Sequence, residues 1–256
     1  MGKISIIICS YNEEKTICEV VKACCLNNAE SEIIVVDDGS TDNSEGLLKQ
    51  LPEKYNFSYI RLPENKGKSY AMVVGVENAH NEIILFIDAD ISNLKQDHFQ
   101  KILKPIIENE ADMVLGQPGE TLINYHINPF KSLTGQRALL KKDILPILNE
   151  IRVTRFGVET YINLYYQAHG KRVEYVMLDG LSHPTKFEKT TPMKATKEFI
   201  LEGNEIALTL LKNHDLITRR IECSFNKTNS SAKTRLQKIQ SDINKKLQYL
   251  LDKINM

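Results

Sequence analysis

The sequence predicts an α/β fold in which helices cover both faces of a mostly parallel β-sheet. Through the first half of the chain, short apolar runs rich in β-branched residues alternate with amphipathic stretches. Strands that alternate with helices pair in parallel through right-handed crossovers. The chain has 256 residues, of which 42% are hydrophobic and 26% charged, so it is long and apolar enough to bury a substantial core.

Five buried strands and four helices are predicted in this first half. Each strand is a short apolar run bounded by polar residues, and each helix is an amphipathic stretch between two such runs. The strands are residues 4–9, 33–36, 57–62, 83–87 and 113–115. The helices are residues 13–26, 44–51, 69–79 and 98–108.

The second half of the chain is less regular. Residues 116–135 form a long segment with several Gly and Pro, and a loop of that length inside a compact domain is usually functional, so we expect a lid there. Helices are predicted at residues 141–150, 158–168 and 195–211, and a strand at residues 172–178. Residues 224–232 are rich in Asn, Ser and Lys, which indicates a linker.

A basic amphipathic helix is predicted after this linker. From residue 222 onward there are seven Lys or Arg and three Asp or Glu, a net charge of +4. Such a helix can pair with a second copy to form a homodimer, lie on an anionic membrane surface, or pack on its own domain. The apolar residues at near-heptad spacing are Leu236, Ile239, Ile243, Leu247, Leu250 and Ile254.

The overall charge argues against nucleic acid as a partner. Lys plus Arg and Asp plus Glu number 33 each, so the formal net charge is zero and no global field attracts nucleic acid. No segment reaches the roughly 20 apolar residues needed to cross a bilayer, and the first residues lead into a strand instead of a signal peptide. We therefore expect a cytoplasmic protein, with the basic helix as the candidate for peripheral contact with the inner face of the membrane.

Polar residues follow four of the predicted strands, directly after the first, second and fourth and soon after the third. They are residues 10–13 (SYNE), 37–42 (DDGSTD), 65–68 (NKGK) and 88–90 (DAD). In sheets of this kind, ligands bind outside the carboxyl ends of the strands. We therefore expect these segments to converge on one rim and to form the functional site.

Two acidic pairs in these segments suggest specific chemistry. Asp88 and Asp90 can hold a divalent cation against a diphosphate, because hard oxygen ligands suit Mg²⁺ and Mn²⁺; the alternative is a solvated turn. Helix capping accounts for residues 40–42 but leaves the preceding pair, Asp37 and Asp38, unexplained. A carboxylate at that position can bond a nucleobase or a ribose hydroxyl.

Together these motifs resemble the nucleotide-sugar domain of family-2 glycosyltransferases with the GT-A fold. SYNEE, VVDDGSTDNS, ENKGKSYAM and FIDAD occur in that order, and the resemblance covers roughly residues 4–190. It implies an enzyme that takes a sugar from a nucleoside diphosphate donor, UDP- or GDP-linked, with Mg²⁺ or Mn²⁺. The sequence departs from the family pattern at Cys9, where proline is usual, and at Ser69 and Tyr70, where small residues or glycine are common.

The resemblance implies roles for the donor-site residues by their position. Tyr11, Glu13 and Asp38 would hold the base and the ribose. Asp37 would support their pocket, and Lys68 would face the diphosphate.

The resemblance also implies a metal site. Asp90 would ligate the metal, Asp88 would lie near the ribose or the metal, and Ala89 between them would contact the nucleotide sugar. His183, in LSHPTKFEK, would complete the metal site or touch the diphosphate, since an imidazole beside two carboxylates suits Mn²⁺. The alternative for His183 is a structural or exposed histidine.

Two further segments, SLTGQRALLKKDIL and TRFGVETYINLYY, resemble the acceptor half of a subgroup that includes polyprenyl-phosphate and phosphoglycerate glycosyltransferases. Glu159 would be the general base for an acceptor hydroxyl, and the alternative is a helix-start carboxylate favoured by the helix dipole. Gln136 and Arg137 would bind a phosphate or carboxylate of the acceptor. A surface ion pair explains Arg137 equally well.

These assignments divide the chain into a glycosyltransferase domain, residues 1–221, and a linker with the basic helix, residues 222–256. Within the domain, residues 1–117 form the nucleotide-sugar half and residues 118–221 the acceptor half. The expected reaction transfers a sugar to an unidentified hydroxyl or phosphate acceptor with inversion. Two alternatives stay open. One is a sugar nucleotidyltransferase, although that class usually carries a glycine-rich loop after the first strand and this sequence has none there. The other is a non-catalytic nucleotide-binding scaffold that acts through its C-terminal helix.

Overall fold

A seven-stranded sheet forms the centre of the molecule. The computed structural model describes residues 4–51, 53–118, 134–154, 157–182, 208–209 and 212–225. The strands are β1 (Ile4–Ser10), β2 (Glu32–Asp37), β3 (Ser58–Arg61), β4 (Ile83–Asp88), β5 (Met113–Pro118), β6 (Arg137–Leu140) and β7 (Val173–Leu178). Their order across the sheet is β3-β2-β1-β4-β6-β5-β7.

Helices pack on both faces of this sheet. They are α1 (Ile17–Asn27), α2 (Ser44–Lys49), α3 (Lys68–Asn78), α4 (Gln96–Ile107), α5 (Lys141–Ile144), α6 (Leu148–Arg152), α7 (Val158–Ala168) and α8 (His214–Phe225), with a 3₁₀ turn at Leu145–Ile147. In α4 the buried Phe99, Ile102, Leu103 and Ile106 recur at intervals of three and four residues. This spacing places them on one face of the helix, which packs against the sheet.

The pairing of the strands aligns their polar ends. β1 is parallel to both β2 and β4, with Ser10 opposite Asp37 and Cys9 opposite Asp88. β6 runs antiparallel to β4 and β5, whereas β7 is parallel to β5. The carboxyl ends of β1, β2 and β4 therefore lie side by side at one edge of the sheet.

Two apolar cores, one on each face, stabilise the sheet. Ile7 of β1 belongs to the core beneath α3 and α7, whereas Ile6 and Ile8 belong to the core beneath α1 and α4. All three side chains are fully buried. Because successive strand residues point to opposite faces, a strand covered on both faces needs an unbroken apolar run.

The strands and helices predicted in the first half are present, and their ends differ by a few residues. α1 begins at Ile17 instead of residue 13, because residues 13–16 form a turn in which Ile17 N donates to Glu13 O at 2.9 Å. β6 was not predicted. The helix predicted at residues 141–150 was wrong in its continuity, since a 3₁₀ turn at Leu145–Ile147, which contains Pro146, interrupts it.

Other predictions fall partly or wholly on residues outside the described ranges. Residues 116–118 belong to β5, so the predicted lid was wrong for that part, and residues 119–133 lie outside the description. Most of the helix predicted at residues 195–211 lies outside it, as does the basic helix. α8 crosses the division proposed between residues 221 and 222 and includes residues 224 and 225 of the predicted linker.

Among the residues that the structure describes, no helix combines the length and the apolar character that crossing a bilayer requires.

Candidate active site

A cleft of about 690 Å³ opens at the carboxyl edge of the sheet. All four polar segments that follow the strands contribute to it, so their predicted convergence is confirmed. A volume of this size suits a small-molecule ligand. The lining residues named from the sequence are Tyr11, Glu13, Asp38, Lys68, Asp88, Ala89, Asp90 and Glu159.

Asn12 joins the loop after β1 to the loop after β2. Its φ is +55°, a left-handed conformation that asparagine adopts more readily than most residues. Asn12 N donates to Ser40 Oγ at 2.9 Å, and Asn12 Oδ1 accepts from Thr41 N at 2.7 Å. These bonds hold Tyr11 and Glu13, which precede and follow Asn12, at the lining of the cleft.

Asp37 lies buried behind the cleft and outside its lining. Its Oδ1 accepts from Ser40 N at 2.8 Å, and its Oδ2 accepts from the Tyr59 hydroxyl at 2.5 Å. Burial and the adjacent Asp37 carboxylate raise the pKa of Tyr59, so the hydroxyl keeps its proton and remains a donor. Asp37 therefore holds the loop that carries Asp38.

Asp38 faces the cleft and binds the loop that precedes α3. Its two carboxylate oxygens accept from Lys66 N and Gly67 N, each at 2.8 Å. Burial raises the pKa of Asp38 above its ordinary value, and these two hydrogen bonds oppose the rise. Gly39 makes the approach of the loops possible: its φ is +71°, and a Cβ there would lie 2.5 Å from the carbonyl carbon of Glu64.

Lys68 links two acidic groups at the centre of the cleft. Its Nζ lies 2.7 Å from Asp88 Oδ1 and 2.8 Å from Glu159 Oε1. Burial alone would lower the pKa of Lys68, but the two carboxylates raise it above its ordinary value. The lysine therefore stays charged and brings the end of β4 close to the start of α7.

Gln136 and Gly135 fix the Asp88 carboxylate from behind. Gln136 Nε2 donates to Asp88 Oδ2 at 2.9 Å, and a Cβ on Gly135 would lie 2.1 Å from Asp88 Oδ1. Gln136 is fully buried and outside the cleft lining. The expectation that Gln136 binds the acceptor is therefore corrected, because its amide orients Asp88 instead.

Arg137 also differs from expectation, because its side chain is fully buried. Nη2 donates to Thr134 O at 2.6 Å and Nη1 to Asn163 Oδ1 at 3.3 Å. Burial lowers the pKa of Arg137, although the carboxylates of Glu159 and Asp88 oppose this. Both predictions for Arg137, an acceptor contact and a surface ion pair, are therefore wrong. Arg137 instead supplies positive charge behind the acidic residues.

Asp88 and Asp90 bring hard oxygen donors to the cleft. Among the described residues, no group of three His, Cys, Asp or Glu side chains is placed to hold a metal ion. His183 lies outside those residues, but Ser182 before it pairs with Ser92 through backbone hydrogen bonds of 2.9 and 3.2 Å. The carboxylate chemistry fits a divalent cation, which Asp88 and Asp90 would hold.

Sequence reasoning assigned no role to several residues that shape this site. Ser10 lines the cleft, is buried, and its Oγ has no hydrogen-bond partner among the described residues. Cys9 also lines the cleft, and burial raises the pKa of its thiol to about 12. The signal for Asn12 was its place within SYNEE. Tyr59 gave none, because its role depends on the pairing of β2 with β3.

The fold and the cleft define a class of protein. It is an α/β protein with carboxylates and a lysine gathered around a ligand-sized cleft at the carboxyl edge of its sheet. The family model for Glycosyl transferase family 2 matches residues 5–179. The chain belongs to glycosyl transferase family 2, as its motifs predicted.

Part of the chain is also similar to known polysaccharide synthases. A segment of 88 residues is 32% identical to poly-beta-1,6-N-acetyl-D-glucosamine synthase of Staphylococcus epidermidis. The same enzyme of Staphylococcus aureus strain COL is 33% identical over 88 residues. Each match covers 34% of this chain and 21% of the relative, so the chain spans about a fifth of the length of these relatives.

Solved structures with a similar fold include glucosyl-3-phosphoglycerate synthase from Mycobacterium tuberculosis. Its complex with phosphoglyceric acid has a TM-score of 0.65 at 18% identity and covers 82% of this chain and 79% of that one. Its complex with Mn²⁺, UDP and phosphoglyceric acid has a TM-score of 0.64 at 19% identity, covering 82% and 78%. This likeness confirms the predicted GT-A fold.

Proposed function

We propose that this chain is a metal-dependent glycosyltransferase that moves a sugar from a UDP-linked donor to a hydroxyl or phosphate acceptor. One observation carries the proposal: Asp38, Lys68, Asp88 and Asp90, from three separate segments, line a single cleft. A nucleotide sugar needs polar groups for its base and ribose and charged groups for its diphosphate. This cleft offers both, and the similar structure from Mycobacterium tuberculosis contains UDP.

The base and ribose would lie at the end of the cleft formed by Tyr11, Glu13 and Asp38. Tyr11 is 43% exposed, so its ring is accessible for stacking on a base. The Asp38 carboxylate is held in place by two backbone N–H groups and can accept from a base or a ribose hydroxyl. We take uracil as the donor base, and turnover with GDP-sugars alone would indicate guanine.

The diphosphate would meet Lys68. Its ammonium group has three N–H donors, and two are already directed at Asp88 and Glu159. Diphosphate oxygens would take the third or compete for the others. Lys68 would therefore contact the bound donor as well as both carboxylates.

Mg²⁺ or Mn²⁺ would be held by Asp90 and Asp88 together with the donor. When bound, such an ion neutralises the charge that develops on the departing nucleoside diphosphate. His183 would be a further ligand, because its neighbour Ser182 pairs with Ser92, two residues after Asp90.

Glu159 would be the general base for the acceptor hydroxyl. It lies in the first turn of α7, lines the cleft, and its side chain is only 13% exposed. Because it is within 2.8 Å of Lys68, it lies close to the proposed diphosphate position. Attack by the deprotonated hydroxyl in one displacement would invert the anomeric carbon.

We place the reaction in the cytoplasm, with residues 226–256 as the segment that contacts the anionic inner face of the membrane or pairs two copies. The net positive charge of that segment supports the membrane contact. Truncation after residue 225 should abolish sedimentation with anionic liposomes. Unchanged sedimentation would remove this part of the proposal, and a change from dimer to monomer on truncation would favour pairing.

The test of function is the release of nucleoside diphosphate by the full-length chain. Single UDP- and GDP-sugars are supplied with Mn²⁺, and we expect turnover with at least one UDP-sugar. Asp90→Asn and Glu159→Gln should each reduce it by at least about a hundredfold, as expected for groups that stabilise charge or move a proton. Asp97→Asn, at a surface carboxylate that is 63% exposed, is the control and should retain full activity.

Three outcomes would contradict the proposal. Undiminished turnover by Asp90→Asn would remove the metal assignment. Pyrophosphate release from a nucleoside triphosphate and a sugar phosphate would indicate a nucleotidyltransferase. UDP binding without turnover of any donor would indicate a scaffold.

A further inference from the structure

A buried histidine ties the turn after β7 to the start of α4. His98 is 1% exposed. Its Nδ1 accepts from Lys95 N at 3.3 Å, so the ring proton lies on Nε2, which donates to Asp179 O at 3.0 Å. One ring nitrogen therefore caps α4, and the other holds the turn.

That turn leads to the flank of the proposed cation site. Gly180 has a φ of +78°, which lets the chain reverse direction. Ser182 then pairs with Ser92 through two backbone hydrogen bonds, and Ser92 follows Asp90 by two residues. Ile91 between them is fully buried, so this short segment has little freedom to move. The backbone at Asp90 is thereby coupled to the turn held by the buried histidine.

We propose that His98 is a positioning residue for the cation site. By holding Asp179 it determines where Ser182 lies against Ser92, and through that pair it aligns the Asp90 carboxylate. The inference rests on the metal-dependent function proposed above. Removing groups that orient metal ligands typically weakens metal binding by about 10–100-fold. His98 lies outside the cleft lining and acts only through the turn.

Two variants separate this role from helix capping. In His98→Asn the amide oxygen replaces Nδ1, so the cap is kept, but the side chain is too short to reach Asp179 O. In His98→Gln the amide nitrogen replaces Nε2, so the bond to Asp179 O is kept and the cap is lost. Lys101→Met is the control, because it removes the ion pairs of Lys101 with two exposed carboxylates, Asp97 at 2.9 Å and Asp179 at 3.2 Å, and leaves the backbone contact of His98 intact.

The experiment is a set of calorimetric UDP titrations of the full-length chain at increasing Mn²⁺ concentration, with one arm in EDTA. We expect the half-maximal Mn²⁺ concentration to rise about tenfold in His98→Asn, toward the lower end for residues that orient metal ligands. It should stay within about threefold of wild type in His98→Gln and Lys101→Met, a change too small for such a role. UDP affinity in EDTA should be the same in all four proteins. A general loss of structure would instead change that affinity.

The outcomes separate this inference from the function on which it rests. Wild-type Mn²⁺ dependence in His98→Asn overturns the role of His98 alone. An equal loss in His98→Asn and His98→Gln also overturns it, because the effect would then not follow the bond to Asp179. UDP binding that does not depend on Mn²⁺ in the wild type contradicts the metal-dependent function and the inference together.

Discussion

Lys68 holds the acidic groups of the cleft together, and replacing it with methionine removes the charge while nearly keeping the side-chain length. The lysine Nζ lies 2.7 Å from Asp88 Oδ1 and 2.8 Å from Glu159 Oε1. In Lys68→Met, two carboxylates share a pocket without their cation. We therefore expect a lower free energy of unfolding and weaker UDP binding.

The expected size of the stability loss follows from the exposure of the three groups. The attraction at 2.8 Å is about 6 kcal/mol per pair at an effective dielectric constant of about 20, before desolvation is subtracted. Loss of one partner from a buried pair typically costs about 3–5 kcal/mol. Because the Lys68 side chain is 33% exposed, solvent screening reduces this to about 2 kcal/mol. For 256 residues that corresponds to a fall of about 4 °C in Tm.

The pH of the measurement follows from the direction of the Lys68 pKa shift. Burial would lower this pKa, but Asp88 and Glu159 raise it above its ordinary value. A lysine with a raised pKa in the folded state stabilises the fold fully below its unfolded pKa of about 10.4, and the stabilisation is lost as pH rises through the folded pKa. The contribution of Lys68 ionisation is therefore complete and constant around neutral pH.

The assay is chemical denaturation of a double-mutant cycle at neutral pH, combined with UDP calorimetry. Lys68→Met and Glu159→Gln should show a coupling energy of about 1 kcal/mol. Lys171→Met is the matched control: Lys171 is 34% exposed and pairs at 2.7 Å with Asp143, which is 11% exposed. Lys171→Met should lose a comparable free energy of unfolding and keep its UDP affinity. The UDP affinity of Lys68→Met should fall by at least about tenfold, as expected for the loss of a hydrogen bond to a charged group.

Two results would refute this reasoning. Stability losses that add within about 0.5 kcal/mol would show that Lys68 and Glu159 do not interact as described. Equal UDP affinities of Lys68→Met and Lys171→Met would remove Lys68 from the diphosphate site.

Three further perturbations test other parts of the cleft. Gly39→Ala should lower the free energy of unfolding by more than about 2 kcal/mol, because its Cβ would lie 2.5 Å from the backbone of Glu64. Gly170→Ala is the control and should lower it by about 1 kcal/mol, because Gly170 has a φ of +68° but faces open space; equal losses on denaturation would contradict the loop contact. Tyr59→Phe should cost about 1–2 kcal/mol, because it leaves a buried oxygen of Asp37 without its donor, and unchanged stability would contradict that bond. Cys9, with a pKa of about 12, should resist iodoacetamide at pH 8 in the native protein and react after unfolding, as mass spectrometry would show; rapid native labelling would contradict the raised pKa.

The first half of the fold was predictable because its strands are buried on both faces. Ile6, Ile7 and Ile8 form an unbroken apolar run that only a doubly covered strand needs. β6 was missed because it has only four residues, runs antiparallel between two strands distant in sequence, and leads directly into a helix. Such a short strand is specified by tertiary pairing more than by periodicity.

The site was predictable where it depends on strand ends and less so where it depends on packing. Asp38, Lys68 and Asp90 could be found because parallel strands end at one edge of the sheet. The burial of Arg137 could not be predicted, since a charged side chain in a short polar segment gives no sign of partners such as Asn163 across the core. Residues that act through long-range hydrogen bonds carry little local signal.

The central claim is that the carboxylates and the lysine of this cleft hold a nucleoside diphosphate together with a divalent cation. Its most direct test is the calorimetric affinity of the full-length chain for UDP, measured with Mn²⁺ and then with EDTA. The account predicts saturable binding that weakens by at least about tenfold in EDTA, and an Asp90→Asn variant that no longer responds to Mn²⁺. Absence of UDP binding at millimolar ligand, or the same response to Mn²⁺ in Asp90→Asn as in the wild type, would contradict it.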